Sequence, residues 1–351
     1  MSQTTTASTV AAATTATTAT RATSPSMNLL QRWLRHPAFS AQVTVVLLMV
    51  LIAAGGAHYT GFAAPQVMLN LLIDNAYLLV LAVGMSLVIL SGGIDLSVGA
   101  VLALATTVAA WLLHHAQWPA WAVIALVLAG GAAFGVLQGA LIHAFRLQPF
   151  IVTLAGMFLA RGLCSLISVD SITIDDPTFV GVSQTQWAVP GGFISPSAAI
   201  AVGVLVAGVW LAHRSAFGRA VYALGGNEQS ALMMGLPVGR TKLLVYGLSG
   251  LCAALAGLLF AFYMLSGYGL HAQGAELDAI AAVVIGGTML SGGYGYVAGA
   301  LSGVLVLGVI QTLIAFDGTL SSWWTKIVIG ALLFVFCVVQ RLLSRPASHI
   351  A

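Results

Sequence analysis

The sequence predicts an all-α integral membrane protein with about ten transmembrane helices. Of its 351 residues, 60% are hydrophobic and only 6% are charged, and the mean hydropathy is +1.02. The apolar residues form continuous runs, and a bilayer core of about 30 Å needs about 20 such residues for each helix. These runs do not alternate between polar and apolar residues, so helices are favoured over a β-barrel.

The predicted spans divide the chain into three parts. Residues 1–39 are expected to form a disordered, cytoplasmic amino-terminal tail, because residues 1–26 are mostly Thr, Ala and Ser and such a composition buries too little apolar surface to fold. Residues 40–342 are predicted to form the transmembrane domain, and residues 343–351 a short cytoplasmic tail. The spans are placed near residues 41–57, 70–91, 97–114, 119–145, 150–168, 196–213, 243–265, 277–290, 296–315 and 323–341.

The longest polar interruption, at residues 214–242, fixes the predicted orientation. Four of the 12 basic residues lie in this loop against one acid, Glu228, and loops rich in Lys and Arg stay in the cytoplasm. Counting spans from this loop puts both termini in the cytoplasm and the loop at 169–195 outside. The external loop agrees with this count, since it contains three aspartates and no Lys or Arg.

A short helix is predicted inside this cytoplasmic loop, at residues 228–234. Asn227 can cap its first turn, and Gly235 with Pro237 supplies the stop. A short helix held between two spans suits the docking of a cytoplasmic partner, and an ordinary amphipathic connector is the alternative. The candidate docking residues are Gly226, Asn227, Ser230, Ala231, Gly235 and Leu236.

Two similar segments interrupt apolar runs with paired glycines. Residues 90–100 read LSGGIDLSVGA and residues 290–300 read LSGGYGYVAGA. The repeat indicates an internal duplication, with coincidence as the alternative because Gly and Ala are abundant. Discontinuous helices at corresponding places in two halves point to a transport pathway, so broken helices are predicted near 90–100 and 276–293.

Acidic residues close to the spans are few, and a carboxylate inside a membrane is costly enough to indicate function. Asp95, Glu276 and Asp278 each have an alternative, structural role. Asp95 could cap a helix that starts near Leu96, and attraction to the positive amino-terminal end of a helix explains Glu276 and Asp278 equally well. Arg161 lies deep in a predicted span, where it is expected to face protein or water and could pair with a carboxylate. The candidate pathway residues are Asp95, Ser97, Glu276, Asp278, Gly292 and Gly293.

Several function classes find no support in the motifs. The chain contains no GxxxxGK[ST] phosphate loop, no GxSxG and no HExxH, so neither ATP hydrolysis nor a serine or zinc hydrolase is predicted. Its three cysteines lie in apolar runs without paired spacing, and no metal or other cofactor is expected. The net charge of +3 comes from loops that flank the membrane, so no nucleic-acid partner is expected.

Four segments of the chain resemble the permeases of ribose-type bacterial ABC sugar importers. They are GGIDLSVG at 92–99, QPFIVTLAGM at 148–157, GGNEQSALMMGL at 225–236 and ELDAIAAVVIGGTMLSGG at 276–293. The resemblance covers about residues 40–342, and it is closest to permease subunits of galactofuranose importers through ILSGGIDLSVG, AHRSAFG and FDGTLSSWWTKI. The chain has Ser230-Ala231 where the family usually has a pair of alanines.

The resemblance implies a permease fold of the cobalamin-importer-like type in a bacterial inner membrane. It also implies a second permease subunit, which makes a heterodimer or alternatively a homodimer, two cytoplasmic ATPases that bind ATP, and a periplasmic sugar-binding protein. The docking residues then become ATPase-coupling residues, and the implied substrate is a monosaccharide, galactofuranose or a related sugar. The rival function is an ion-coupled secondary sugar carrier, which needs more buried titratable groups than this chain offers.

Overall fold

Apolar helices dominate the computed structural model, which describes residues 39–321 and 323–343. The predicted tails lie outside the described residues, except for Phe39 and Leu343. The helices are α1 Phe39–His58, α2 Pro65–Asp74, α3 Ala76–Leu90, α4 Val98–His114, α5 Ala120–Ala144, α6 Pro149–Ile167, α7 Pro177–Gln184, α8 Pro196–Arg214, α9 Ala216–Gly226, α10 Glu228–Met233, α11 Val238–Met264, α12 Ala275–Ile285, α13 Gly299–Asp317 and α14 Trp323–Leu343.

Among the described helices, five are long and apolar enough to cross a membrane: α5, α6, α8, α11 and α13. Helices α2 and α3 form a sixth such element if they are counted together, since they meet at a bend of 54°. The multi-span helical class is therefore confirmed, whereas the count of about ten spans stays a prediction. The predicted and observed numbers of spans differ because some predicted spans correspond to helices shorter than a bilayer core. Helix α12, for example, has only 11 residues, or about 16 Å at 1.5 Å per residue.

Helix α11 lies at the centre of the bundle. In its most apolar stretch 67% of the residues are buried, against 28% in α5, 28% in α6 and 33% in α8. Glycines bring α5 and α11 together, because a Cβ on Gly131 would lie 2.6 Å from the carbonyl oxygen of Gly250. Small residues allow such close backbone approach. The peripheral helices consequently turn apolar side chains outward, as a lipid surrounding requires.

The predicted external loop, residues 169–195, is more ordered than the sequence indicated. It contains α7 and three short strands: β1 Ile172–Thr173, β2 Trp187–Val189 and β3 Gly192–Ile194. Strands β2 and β3 form a hairpin, while β1 pairs antiparallel with β4, Ser266–Gly267, directly after α11. Helix α7 begins where the Asp176 carboxylate accepts the amides of Thr178 and Phe179. The ribbons are a small departure from the all-α prediction.

Candidate functional site

The predicted docking helix is present as α10, with the predicted signals at both ends. The side-chain oxygen of Asn227 accepts a hydrogen bond from the amide of Ser230 at 2.8 Å, which satisfies one free donor of the first turn. Gly235 has a φ of +76°, a left-handed conformation that glycine adopts without strain. The amide of Leu236 then bonds back to the carbonyl of Ala231 at 3.1 Å.

The carboxyl-terminal end of α10 exposes apolar side chains that were not among the predicted docking residues. Leu232, Met233 and Met234 are 64%, 84% and 67% exposed. Ala231, in contrast, is fully buried and packs with Leu224 and Val238, so it holds the helix against the protein. The signal for the exposed residues was available, because Leu-Met-Met is an apolar run within a loop that must lie in water.

Both predicted breaks in the membrane helices are present. Residues 91–97 separate α3 from α4, and residues 286–298 separate α12 from α13. The predicted segment 276–293 begins within α12, which ends at Ile285. The second break starts at residue 286 and continues past the predicted segment to residue 298. Gly92, Gly292 and Gly293 have φ values of +83°, +80° and +73°, which explains why glycines mark these turns.

The two breaks contact each other through their backbones. The amide of Gly293 donates to the carbonyl of Leu90 at 2.9 Å, so the two copies of the repeated Leu-Ser-Gly-Gly sequence meet in space. A Cβ on Gly292 would lie 2.7 Å from the Cα of Gly92. Such a distance leaves room only for glycine.

The end of α9 completes this contact. A Cβ on Gly225 would overlap the carbonyl oxygen of Leu90 and the amide nitrogen of Gly293. We call Gly92, Gly225, Gly292 and Gly293 the glycine junction. Because α10 begins only a few residues after Gly225, the junction connects the predicted docking helix with both breaks. Gly226, by contrast, faces open space.

A side chain of α9 adds a second link to the same break. The Tyr222 hydroxyl donates a hydrogen bond of 2.7 Å to the carbonyl of Gly295. Burial raises the pKa of Tyr222 to about 12, with a further contribution from Tyr296. The hydroxyl therefore keeps its proton and stays a donor throughout the physiological pH range. Helix α9 itself was not predicted, although Ser215 caps it by accepting the amide of Gly218 at 2.9 Å.

Asp95 lies in the first break and is 1% exposed. One carboxylate oxygen accepts hydrogen bonds from the amide and the hydroxyl of Ser97 at 2.9 and 2.6 Å, and the other accepts the Ser249 hydroxyl at 2.7 Å. Helix α4 starts at Val98, so Asp95 orders the residues immediately before it. Gln138, from α5, lies 3.2 Å from the Ser97 hydroxyl. Asp95 thus joins the first break to α11, Ser97 extends the network to α5, and the pathway role of Asp95 stays a prediction.

Glu276 and Asp278 occupy the first turn of α12. Asp278 accepts two hydrogen bonds from the Lys326 ammonium of α14, at 2.9 and 2.7 Å. One oxygen of Glu276 is buried without a hydrogen-bond partner among the described residues. Arg161 donates to the carbonyl oxygens of Gly269 and His271, at 2.6 and 2.8 Å. The guanidinium thus holds the segment before α12 through backbone carbonyls, where the sequence allowed a carboxylate partner.

A cavity of about 930 Å³ opens between α10, the α5–α6 turn and the first break. Lys242 and Glu228, which form an ion pair of 2.7 Å, lie on its wall with Arg146. Residues 39–321 and 323–343 contain no group of three or more His, Cys, Asp or Glu side chains able to hold a metal ion.

Comparison with known proteins gives a family. Residues 67–337 match the family described as branched-chain amino acid transport system / permease component. The inner membrane ABC transporter permease protein YjfF of Escherichia coli K12 is 50% identical over 285 residues, which cover 81% of this chain and 86% of YjfF. No solved structure matches the chain.

The names of two further relatives specify a sugar. The fructose import permease protein FruG of Bifidobacterium longum is 43% identical over 304 residues, or 85% of this chain and 89% of FruG. The ribose import permease protein RbsC of Escherichia coli K12 is 36% identical over 306 residues, or 86% of this chain and 93% of RbsC. Each relative is matched over most of its own length.

Proposed function

The chain belongs to the family of branched-chain amino acid transport system permease components and, within it, to the ribose-type monosaccharide permeases of ABC importers; on that premise we propose which sugar it carries and how it is coupled to ATP. It is a multi-pass inner-membrane subunit and not an enzyme, since ATP is hydrolysed by a separate subunit of such importers. An ion-coupled carrier is not favoured by these relatives.

The proposed substrate is galactofuranose or a related monosaccharide. Support comes from the segments ILSGGIDLSVG, AHRSAFG and FDGTLSSWWTKI and from relatives whose names specify fructose and ribose. In this proposal the transmembrane domain, residues 40–342, has about ten helices in the cobalamin-importer-like arrangement. Its tails, residues 1–39 and 343–351, lie in the cytoplasm, and a second, different permease subunit completes the pore.

Coupling to ATP is proposed to run through α10 and the glycine junction. The observation that carries this proposal is the position of Gly225, whose backbone contacts both breaks immediately before the docking helix. The exposed side chains of Leu232, Met233 and Met234 would be covered by the ATPase, because apolar side chains gain about 25 cal/mol per Å² when removed from water. A displacement of α10 would then move the turns at 91–93 and 291–293 together.

The docking proposal is tested by changing Met233, which is 84% exposed. Met233→Asp should weaken copurification of the ATPase with the permease and lower ATP-dependent uptake, because a carboxylate would have to be buried without a partner. Met233→Leu is the matched control, since it keeps an apolar side chain of similar size. Equal copurification and uptake for the Asp and Leu variants would reject α10 as the dock.

The substrate proposal is tested separately in proteoliposomes that contain the complete importer and its binding protein. Uptake of labelled galactofuranose, ribose and fructose is compared with ATP present inside and with the proton gradient collapsed. Galactofuranose uptake that persists under these conditions is expected. A preference for another sugar would replace the substrate, and dependence on the ion gradient would contradict the importer mechanism itself.

A further inference from the structure

A second cavity, of about 200 Å³, lies on the side of the predicted external loop. Its walls come from the bend between α2 and α3, from α7 and the residues that follow it, from the start of α8 and from the outer end of α11. The volume is below the roughly 300–1,000 Å³ of pockets for drug-sized ligands. A single sugar ring is the size of solute that such a space suits.

Aromatic rings form one part of the wall. Tyr77, Phe193, Phe262 and Tyr263 line the cavity. Aromatic faces offer a large apolar surface with a polar edge on Tyr, and the C–H face of a sugar ring packs on such a surface. The ring of Tyr77 also contacts Phe260, with 5.0 Å between centroids. The cavity therefore has the apolar half of a sugar-binding surface.

Polar residues also line the cavity. Asp74, Ser183, Gln186 and Ser197 are among them. The Tyr263 hydroxyl lies 3.4 Å from Asp74 Oδ1, a long hydrogen bond that leaves the carboxylate with acceptor sites to spare. Carboxylates and amides beside an aromatic face provide the acceptors and donors that sugar hydroxyls need.

The charge of the wall selects against anions. Asp74 is the one charged side chain among the described residues that line the cavity, and none of these residues is Lys or Arg. A sugar phosphate or sugar acid would meet a carboxylate without a compensating cation, which is unfavourable in a partly desolvated site. A neutral polyhydroxylated solute carries no such penalty.

Contacts lead from this cavity toward the second broken helix. Tyr77 contacts Phe260, and Phe260 contacts His271, with ring centroids 5.1 Å apart. His271 belongs to the segment that Arg161 holds immediately before α12. The wall of the cavity is thus continuous with the segment immediately before α12, whose first residues are candidate pathway residues.

We infer that this cavity is a binding site for one neutral monosaccharide, a loading site within the permease itself. The inference rests on the proposed function, which requires a sugar to arrive on the external side. Asp74 and Gln186 hydrogen-bond the sugar hydroxyls, and Tyr263 packs against the ring. The site discriminates by size against disaccharides and by charge against sugar phosphates.

The test measures sugar binding to the complete importer in nanodiscs without its binding protein. Saturation-transfer NMR is recorded with methyl β-D-galactofuranoside, D-ribose, D-fructose and, as the anionic probe, D-glucose 6-phosphate. Saturable binding of at least one neutral sugar is expected, with no binding of the phosphate. Asp74→Asn and Tyr263→Ala should each weaken that binding about ten-fold, the amount expected for a lost charged hydrogen bond or a lost stacking contact.

Asp175→Asn is the matched control, because it makes the same chemical change on an exposed carboxylate of the external loop that does not line the cavity. Gln186→Ala, an exposed position, decides the matter if Asp74→Asn does not assemble. The inference is overturned if Asp74→Asn or Gln186→Ala binds sugar as well as the wild type does. It is also overturned if no sugar shows saturable binding. ATP-dependent uptake by the wild type is measured in parallel, so that a failure of the loading site is distinguished from a failure of the proposed function.

Discussion

Gly225 offers the sharpest test of coupling through the glycine junction, because the change to alanine adds a single methyl group at a backbone contact. That methyl would overlap the carbonyl oxygen of Leu90 and the amide nitrogen of Gly293. Both obstacles are backbone atoms, so rotation of a side chain cannot relieve the overlap. The three segments must separate by about 1 Å, because real Cβ atoms essentially never lie within 3.0 Å of another heavy atom.

The magnitude follows from two opposing effects. Overpacking typically costs about 1–3 kcal/mol, while alanine is favoured over glycine within a helix by about 1 kcal/mol. Gly225 lies in α9, so both apply, and a net loss of about 1 kcal/mol is the central expectation. This corresponds to about a five-fold decrease in the ratio of closed to separated junctions. We expect ATP-dependent uptake by Gly225→Ala to fall by a similar factor.

The assay compares sugar uptake and the stimulation of ATP hydrolysis by the loaded binding protein, at matched membrane levels of permease. Gly203→Ala serves as the control, because Gly203 is also inside a helix but a Cβ there meets nothing within 4 Å. It should transport as the wild type does. Wild-type uptake and stimulation in Gly225→Ala would refute the argument that this contact transmits movement.

Substitutions at three further sites have expected outcomes. Asp95→Ala should reduce the amount of permease in the membrane, because it removes three hydrogen bonds to a buried carboxylate, each worth about 1.5–3 kcal/mol; Asp95→Asn should assemble but transport slowly, and immunoblots with uptake assays check both. Tyr222→Phe should weaken stimulated ATP hydrolysis by the equivalent of one hydrogen bond, about 0.5–1.5 kcal/mol. Burial raises the pKa of Tyr222 to about 12, so the hydrogen bond contributes fully below the unfolded pKa near 10 and is lost only as the pH rises through about 12. A difference between wild type and Tyr222→Phe that changes between pH 6 and 8 would contradict this. Lys326→Asp should impair uptake by placing two carboxylates together, and Asp278→Lys in the same chain should restore it by re-forming the pair.

Features that depend on neighbouring residues in the chain could be predicted from the sequence. Asn227 and Gly235 act on backbone groups a few residues away, so their cap roles were readable without knowledge of the fold. Paired glycines likewise revealed both breaks. The helix in the predicted external loop was harder to predict, because the cap at Asp176 precedes only eight helical residues, too few for a hydrophobic period to identify them.

Features that depend on distant residues could not be predicted. The contact between Leu90 and Gly293 joins positions far apart in the chain, and the repeated sequence indicated similarity between the two segments without showing that they touch. Arg161 was recognised as unusual, but its acceptors are backbone carbonyls, which every residue possesses and no sequence pattern marks. The proposed sugar-binding cavity draws Asp74, Gln186 and Tyr263 from separate elements, so only the folded chain brings them together.

The glycine junction contains backbone and no side chain beyond hydrogen, and this has a consequence for the conditions under which the protein works. Its contacts carry no titratable group and no net charge, so neither protonation nor ionic strength alters them, whereas an exposed ion pair such as that of Lys242 and Glu228 is screened by salt. The connection between the proposed docking helix and the two breaks should therefore keep its stiffness when the salt concentration of the cytoplasm changes, as it does when a bacterium meets osmotic stress.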